Sequence, residues 1–286
     1  MNIVACTGKD KIKILVACHK PSKVYQDDVY TPIHVGRAVS KCKDEMADMI
    51  GDDSGDHISG KNATYAEMTA QYWAWKNLHD VEYIGFCHYR RYFDVKFTSE
   101  NVDKIFQKCD VIVVNERGVI PIIMDSFRWI NREDVTLFMI ILKKKYPEYE
   151  KATLDYLWSI DWHSRNMLVC RKEVFDQYAA WMFDILSECE KYIKDPVYKS
   201  RSKTLAYLSE LFMPVYFIHH GFRMKSVGIV EYPDEKRRTS MRTNLKYMLR
   251  KWHHNIFSRM YYKPTRFEYY YESEVLAGLK MDGILP

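Results

Sequence analysis

No stretch of this 286-residue sequence approaches the roughly 18–20 apolar residues that a membrane-spanning helix needs. Its first six residues, Met1-Asn2-Ile3-Val4-Ala5-Cys6, lack the basic-then-apolar pattern of a secretory signal. Both absences predict a protein made and kept in the cytosol. Seven cysteines, Cys6, Cys18, Cys42, Cys87, Cys109, Cys170 and Cys189, are odd in number, scattered and free of any C-x-x-C pair, which predicts reduced, mostly buried thiols. There is no internal repeat, no low-complexity tract and no clear linker before Tyr232. With 47% hydrophobic and 28% charged residues the composition sets aside disorder and fibrous architectures, and the length suits one large domain with an appendage.

What is abundant is aromatic. The 22 tyrosines and 7 tryptophans suit surfaces that stack on sugars or bases, or that sit at a membrane interface, and composition leaves all three open. Charge is uneven. Residues 236–266 hold ten Lys or Arg and no Asp or Glu, and removing those ten from the net +5 leaves the rest at −5. A mildly acidic body therefore carries a basic tail, whose partner is expected to be anionic.

Residues 12–17 form a short apolar run ending in Cys18-His19-Lys20-Pro21, the pattern of a buried strand feeding a loop. A polar loop, 52–62, reads as too hydrophilic to pack and too long for a simple turn, and so as a binding loop. Thr64-Tyr65-Ala66-Glu67 has the capping-box pattern, predicting a helix through Asn77 in which Tyr72, Trp73 and Trp75 face the core. Strands are predicted at 83–87, 111–114, 166–170 and 226–230, and helices at 102–108, 135–146, 172–193 and 205–217, the last broken at Pro214. Alternating strands and helices imply a mostly parallel sheet that binds ligand at the carboxyl ends of its strands.

The segment 83–93 carries the most chemistry, because it sets His88, Arg90 and Arg91 at the end of a buried strand. Two adjacent arginines leaving such an end supply forked donors to a diphosphate and neutralise charge on a departing nucleotide. The bland alternative pairs one arginine with an aspartate and leaves the other in water. His19 and Lys20 close the first strand and fall beside the same crevice. Asp52, Asp53 and Asn62 in the polar loop can hold base or ribose, or be simply solvated.

The set His19-Lys20-Pro21, the run Tyr30-Thr31-Pro32-Ile33-His34-Val35-Gly36, the loop at 52–59, residues 62–77 and His88-Tyr89-Arg90-Arg91-Tyr92-Phe93 resembles a bacterial family long labelled a domain of unknown function. Its members occur in capsule, exopolysaccharide and O-antigen gene clusters. The likeness continues through Asn166-Met167 and the segment 208–212 and covers about residues 12–230. Residues 126–134 depart from a pattern that carries histidine there, and the tail lies outside it. The pattern along the chain places a body at 10–232 and a basic, aromatic-rich helical appendage at 233–286, and for the body the resemblance implies an α/β, GT-A-like single Rossmann-type domain with a mostly parallel central sheet flanked by helices. It implies a glycosyltransferase that moves a galactose-type sugar, pyranose or furanose, from a nucleotide donor, UDP-linked, to a growing or lipid-linked surface glycan. Tyr65, Asp161 and Asn166 join His19, Lys20, Asp52, Asp53, Asn62 and His88 as expected substrate-binding residues.

Many GT-A enzymes hold Mn²⁺ or Mg²⁺ with a D-x-D motif after a central strand. This sequence has no D-x-D; its nearest approach, Asp80-Val81-Glu82, precedes the strand. Fixed cationic side chains are expected in the metal's place. For an inverting reaction Glu210 is the expected general base, with Asp161 in reserve, a salt-bridged Glu210 being the alternative. Other readings are a different nucleotide-dependent transferase, against which the missing carboxylate motif counts, and nucleic-acid or polyanion binding by the basic tail, against which the acidic body counts. Leu245, Met248, Leu249, Trp252, Ile256 and Met260 recur at helical spacing among Arg242, Lys246, Arg250, Lys251 and Arg259, the pattern of a basic amphipathic helix suited either to the inner face of an anionic membrane or to packing on the body. Tyr261, Tyr262, Phe267 and Tyr269, Tyr270 and Tyr271 favour the membrane.

Overall fold

A computed structural model describes residues 10–117, 120–193, 203–233, 236–237, 241–257, 273–281 and 283. In chain order its elements begin with β1 (Asp10–Cys18), β2 (Tyr30–His34), β3 (Ile50–Gly51), α1 (Asn62–Tyr65), α2 (Met68–Asn77), β4 (Val81–His88) and β5 (Arg91–Phe93). There follow α3 (Val102–Phe106), β6 (Val111–Arg117), α4 (Ile122–Ser126), α5 (Arg132–Lys145), α6 (Glu150–Leu157), β7 (Asp161–Arg171) and α7 (Lys172–Glu190). The chain closes with α8 (Thr204–His219), β8 (Met224–Val227), β9 (Ile229–Glu231), β10 (Lys236–Arg237), α9 (Met241–Phe257) and α10 (Ser273–Met281). The architecture is α/β, with a central sheet flanked by helices.

The apolar runs become the middle of the sheet. β1 and β4 are buried along most of their length on both faces, so each needs a continuous apolar sequence rather than an alternating one. The order is β10-β9-β5-β4-β1-β2-β3, with β7 also on β4, and β6 joined to β7 and β8. β1 runs parallel to β2 and to β4, and β2 parallel to β3. β5 and β7 run antiparallel to β4, β9 to β5 and β10 to β9. The sheet is thus mixed: β1 to β4 keep the parallel arrangement expected from alternating elements, whereas β5, β7, β9 and β10 join through antiparallel pairings. The cause is that β7 returns beside β4 in the opposite sense, with Ile84 opposite Cys170 and Phe86 opposite Leu168.

Five local expectations need correction. The single strand read at 226–230 is two, β8 and β9, separated at Gly228, whose carbonyl accepts the Asp94 N–H at 2.9 Å. Pro214 does not break α8, because twelve of the sixteen positions of that helix are buried, Pro214 among them, and packing outweighs the lost N–H. The capping box does not form. The Thr64 hydroxyl donates to the Lys61 carbonyl, and the helix is interrupted at Ala66, where φ is +45°. The loop 52–62 does pack, through polar groups: Trp73 Nε1 donates to Ser54 Oγ at 2.8 Å, and Asn77 exchanges bonds with the Asp56 backbone. Of the aromatic trio on α2, Trp73 is buried whereas Tyr72 and Trp75 are half-buried and meet edge to face.

Contacts divide the chain into two units. The first takes the described residues of Met1–Val113, Asn166–Ala179 and Arg223–Arg237, and the second those of Val114–Arg165, Ala180–Phe222 and Arg238–Pro286. In the first, the strands pack around Ile14, Leu15, Val16, Ile33 and Ile84, all fully buried. In the second, Phe138 of α5 stacks on Phe212 of α8 with ring centroids 3.9 Å apart. α5 carries Glu133 and Asp134 in its first turn and Lys143, Lys144 and Lys145 in its last, matching the helix dipole at both ends. The six described cysteines are free thiols, and all but Cys42 are buried. Cys6 lies outside the described residues. Among the described residues no helix is long and apolar enough to cross a membrane.

Gly85 marks the tightest point of the sheet. A Cβ there would stand 2.8 Å from Val169 Cγ2, 3.0 Å from Ile14 Cγ1 and 3.1 Å from the Leu168 carbonyl oxygen. Gly85→Ala is therefore expected to destabilise the fold by about 1–3 kcal/mol through overpacking. Chemical denaturation reads this directly, and an unchanged midpoint would show that the neighbouring strands yield freely.

Candidate functional site

β1 passes to β2 on one side while β4 lies on its other side, so the crevice beyond the carboxyl ends of β1 and β4 is the topological switch point of the sheet. The parallel register sets Ala17 opposite His88, and the Tyr89 N–H donates to the Ala17 carbonyl at 3.2 Å. The loop after β1 and the turn after β4 are thereby tied together. His19 and Tyr89 meet edge to face at 5.4 Å, and the Arg90 guanidinium lies over the Tyr89 ring at 5.0 Å. Arg91 pairs in register with His88 on one side and Glu231 on the other, and its Nε is buried with no hydrogen-bond partner among the described residues. His19, Lys20 and Arg90 are exposed, and His88 is half-buried. The structure thus brings together five residues that the sequence predicted, His19, Lys20, His88, Arg90 and Arg91.

A second cluster closes the end of β2. Asp52, fully buried, accepts from the Gly36 N–H at 2.8 Å, the Arg37 N–H at 3.1 Å and the Ser59 hydroxyl at 2.5 Å. Its oxygens are occupied by protein donors, so it braces the loop instead of presenting an open carboxylate. Asp53 pairs with Arg37 at 3.6 Å, while Arg37 Nε is buried and unpartnered among the described residues. His34 is fully buried, has no partner for either ring nitrogen among the described residues, and burial holds its pKa below the ordinary value. Asn62 fits against Gly36, where φ is +70° and a Cβ would lie 2.7 Å from Asn62 Cβ.

Asn62 also donates to the Ala66 carbonyl at 2.7 Å and to Thr69 Oγ1 at 3.2 Å, holding the kink between α1 and α2. Tyr65, at the end of α1, is buried. Beyond the kink, Glu67 Oε1 accepts from Asn166 Nδ2 at 2.8 Å, and Gln71 Nε2 donates to the Asn166 carbonyl at 3.0 Å. Asn166 and its predecessor Arg165 have φ of +50° and +71°, a conformation that non-glycine residues keep only when their surroundings enforce it. Glu67 and Gln71 escaped sequence reasoning, their nearest signal being Glu67 at the end of the misread capping box.

The two candidate bases belong to the second unit. Glu210 on α8 is half-buried, and Asp161 at the start of β7 pairs with Lys251 of α9. Both carboxylates act electrostatically on Tyr156, whose phenol is pushed far up by burial and exchanges hydrogen bonds with the His163 backbone. His163 is held below its ordinary pKa, chiefly by burial.

Beside β5 and β9 lies a cavity of about 380 Å³, lined by Tyr25, Tyr30, Tyr92 and Tyr232 together with Asp94 and Lys96. The four rings meet edge to face, Tyr30 to Tyr92 at 5.4 Å and Tyr92 to Tyr232 at 5.8 Å. Strand alternation was the available signal, since it turns Tyr92 away from its neighbour Arg91. The residues after β4 are cationic and aromatic, and among the described residues no three His, Cys, Asp or Glu side chains converge as metal ligands.

Residues 13–221 match a protein family described as a domain of unknown function, DUF4422. No curated protein matches the sequence. Among solved structures, the apo form of WbbM, a bifunctional glycosyltransferase, is similar with a TM-score of 0.66 and 24% identity, over 81% of this chain and 47% of that one. The likeness is one of fold, and this chain spans about half the length of that protein.

If Asp52 is a brace, its removal strands two backbone N–H groups and a hydroxyl. Asp52→Ala is expected to cost about 2–4 kcal/mol, at about 1–3 kcal/mol for each buried group left unsatisfied and with partial relaxation. Equilibrium unfolding measures it, and a loss under about 0.5 kcal/mol, the scale of an ordinary surface change, would return Asp52 to the ligand-facing role.

Proposed function

The chain belongs to the DUF4422 family, and on that premise we propose that it is a glycosyltransferase acting on a nucleotide-sugar donor and a glycan acceptor. The observation that carries the reading is the register of β1 on β4, which gathers His19, Lys20, His88, Arg90 and Arg91 at the switch point of the sheet. Imidazole, ammonium and guanidinium groups gathered there suit a diphosphate. The donor we infer is UDP-linked and of galactose type, pyranose or furanose, and the acceptor a lipid-linked or growing surface glycan of the capsule, exopolysaccharide or O-antigen kind. The transfer takes place at the cytosolic face.

In the reaction the bond from the anomeric carbon to the diphosphate oxygen breaks, and a bond to an acceptor hydroxyl oxygen forms. Arg90 and Arg91 stabilise the negative charge that gathers on the leaving diphosphate, in the place where a metal ion serves in other enzymes of this kind. The unpartnered Nε of Arg91 is a donor held in reserve for that charge. Asn62, Tyr65 and Asp53 border the nucleoside, and Asn166 fixes Glu67 beside them. In an inverting transfer Glu210 takes the proton of the acceptor hydroxyl. Asp161, paired with Lys251, is the base in reserve.

Arg90→Ala and Arg91→Ala are each expected to lower turnover about 10²–10³-fold while unfolding midpoints stay within a few degrees. Either variant near full activity would remove that arginine from the leaving-group role. Glu210→Gln should keep the thermal stabilisation conferred by UDP and lose transfer, whereas a structural Glu210 would lose stability instead. Transfer in the parent should persist in excess EDTA; activity abolished by EDTA and restored by Mn²⁺ would restore a metal to the mechanism.

A further inference from the structure

α9 belongs to the second unit and meets the rest of it on the side of Lys251 and His254. Lys251 pairs with Asp161, and His254 Nε2 lies 3.0 Å from the Trp158 carbonyl oxygen. At about 100° per residue, Leu245, Met248, Leu249, Trp252 and Ile256 fall in an arc of about 100°, with His254 roughly opposite and Lys246 and Arg250 between. The structure leaves that apolar arc open: Leu245, Met248, Leu249 and Trp252 are 62%, 65%, 58% and 66% exposed, and Ile256 is 39% exposed. Lys246 and Arg250 are exposed beside it.

A row of large apolar side chains left in water across about three turns needs an occupant, and charge selects among the candidates. A second copy docking by two-fold symmetry would bring Lys246 and Arg250 of both helices together, in a segment, 236–266, that supplies no carboxylate to separate them. An anionic bilayer surface meets both halves of the pattern at once. Its acyl boundary takes the apolar arc, its headgroup phosphates take the flanking cations, and Trp252 sits at the depth that indole favours. We propose that α9 is an in-plane membrane-docking helix, with Leu245, Met248, Leu249, Trp252 and Ile256 as its inserted face and Lys246 and Arg250 as its headgroup contacts. Lys251 and His254 hold the helix to the body so that this face points outward. Arg259, Met260, Tyr261, Tyr262, Lys263, Arg266, Phe267, Tyr269, Tyr270 and Tyr271 lie outside the described residues.

The inference does not depend on the transfer reaction, and its test needs no substrate. The full chain is sedimented with vesicles of phosphatidylcholine, with and without phosphatidylglycerol, at low and high salt. It is expected in the pellet with phosphatidylglycerol at low salt, and about tenfold less bound at high salt, where headgroup attraction is screened. Leu249→Glu combined with Trp252→Glu should leave the protein in the supernatant with its unfolding midpoint unchanged, because both side chains already face water. Lys246→Glu combined with Arg250→Glu should abolish the preference for phosphatidylglycerol. Parent protein that stays in the supernatant under every condition, or a Leu249→Glu/Trp252→Glu variant that pellets like the parent, overturns the proposal. So does a light-scattering mass that is dimeric for the parent and monomeric for that variant without vesicle binding, since a second copy would then be the occupant.

Discussion

The site depends on the hydrogen-bonded register of two parallel strands. Seven residue pairs, from Asp10 with Val81 to Ala17 with His88, lock β1 to β4. A slip of one residue would exchange the two faces of the slipped strand, each packed against different neighbours, and carry His88 away from the loop that holds His19. The register is enforced from both sides, because Gly85 admits Val169 and Ile14 so closely that no other residue fits without displacement. The chemistry of the turn Tyr89 to Arg91 is in this sense held in place by carbon atoms several residues back along the strands.

Where the strand ends stop giving support, polar side chains take over. Asp52 gathers two amides and a hydroxyl, Asn62 spans the kink at Ala66, and Asn166 joins Glu67 to Gln71 across the start of α2. Ala66, Arg165 and Asn166 all have positive φ without being glycine, and two of the three lie at the ends of these bonds. Such strain survives where a network over-determines the backbone, and it belongs to surfaces whose shape matters more than their stability.

The strands at 12–17 and 83–87 could be read from sequence because a strand buried on both faces must be apolar at every position, a pattern that needs no partner to recognise. So could the gathering of His19, Lys20, His88, Arg90 and Arg91, which follows once both strands are assigned to one sheet. The antiparallel return of β7 could not, since the same apolar run serves either direction. Nor could the junction of Glu67 with Asn166, residues 99 positions apart whose pairing only the fold reveals. The capping-box motif misled because its Thr64 bonds backwards to Lys61, and Pro214 misled because burial of α8 overrides a local preference.

The pairing of β5 with β9 reaches across about half of the chain, with Arg91 opposite Glu231 and Phe93 opposite Ile229. During synthesis, therefore, β5 emerges with one edge open and keeps it open until about 140 further residues have been made. An unpaired edge beside a cluster of tyrosines is an invitation to intermolecular pairing. Arg90 and Arg91, with the exposed Lys96 nearby, set like charge along that edge in the interval, which disfavours pairing between nascent chains.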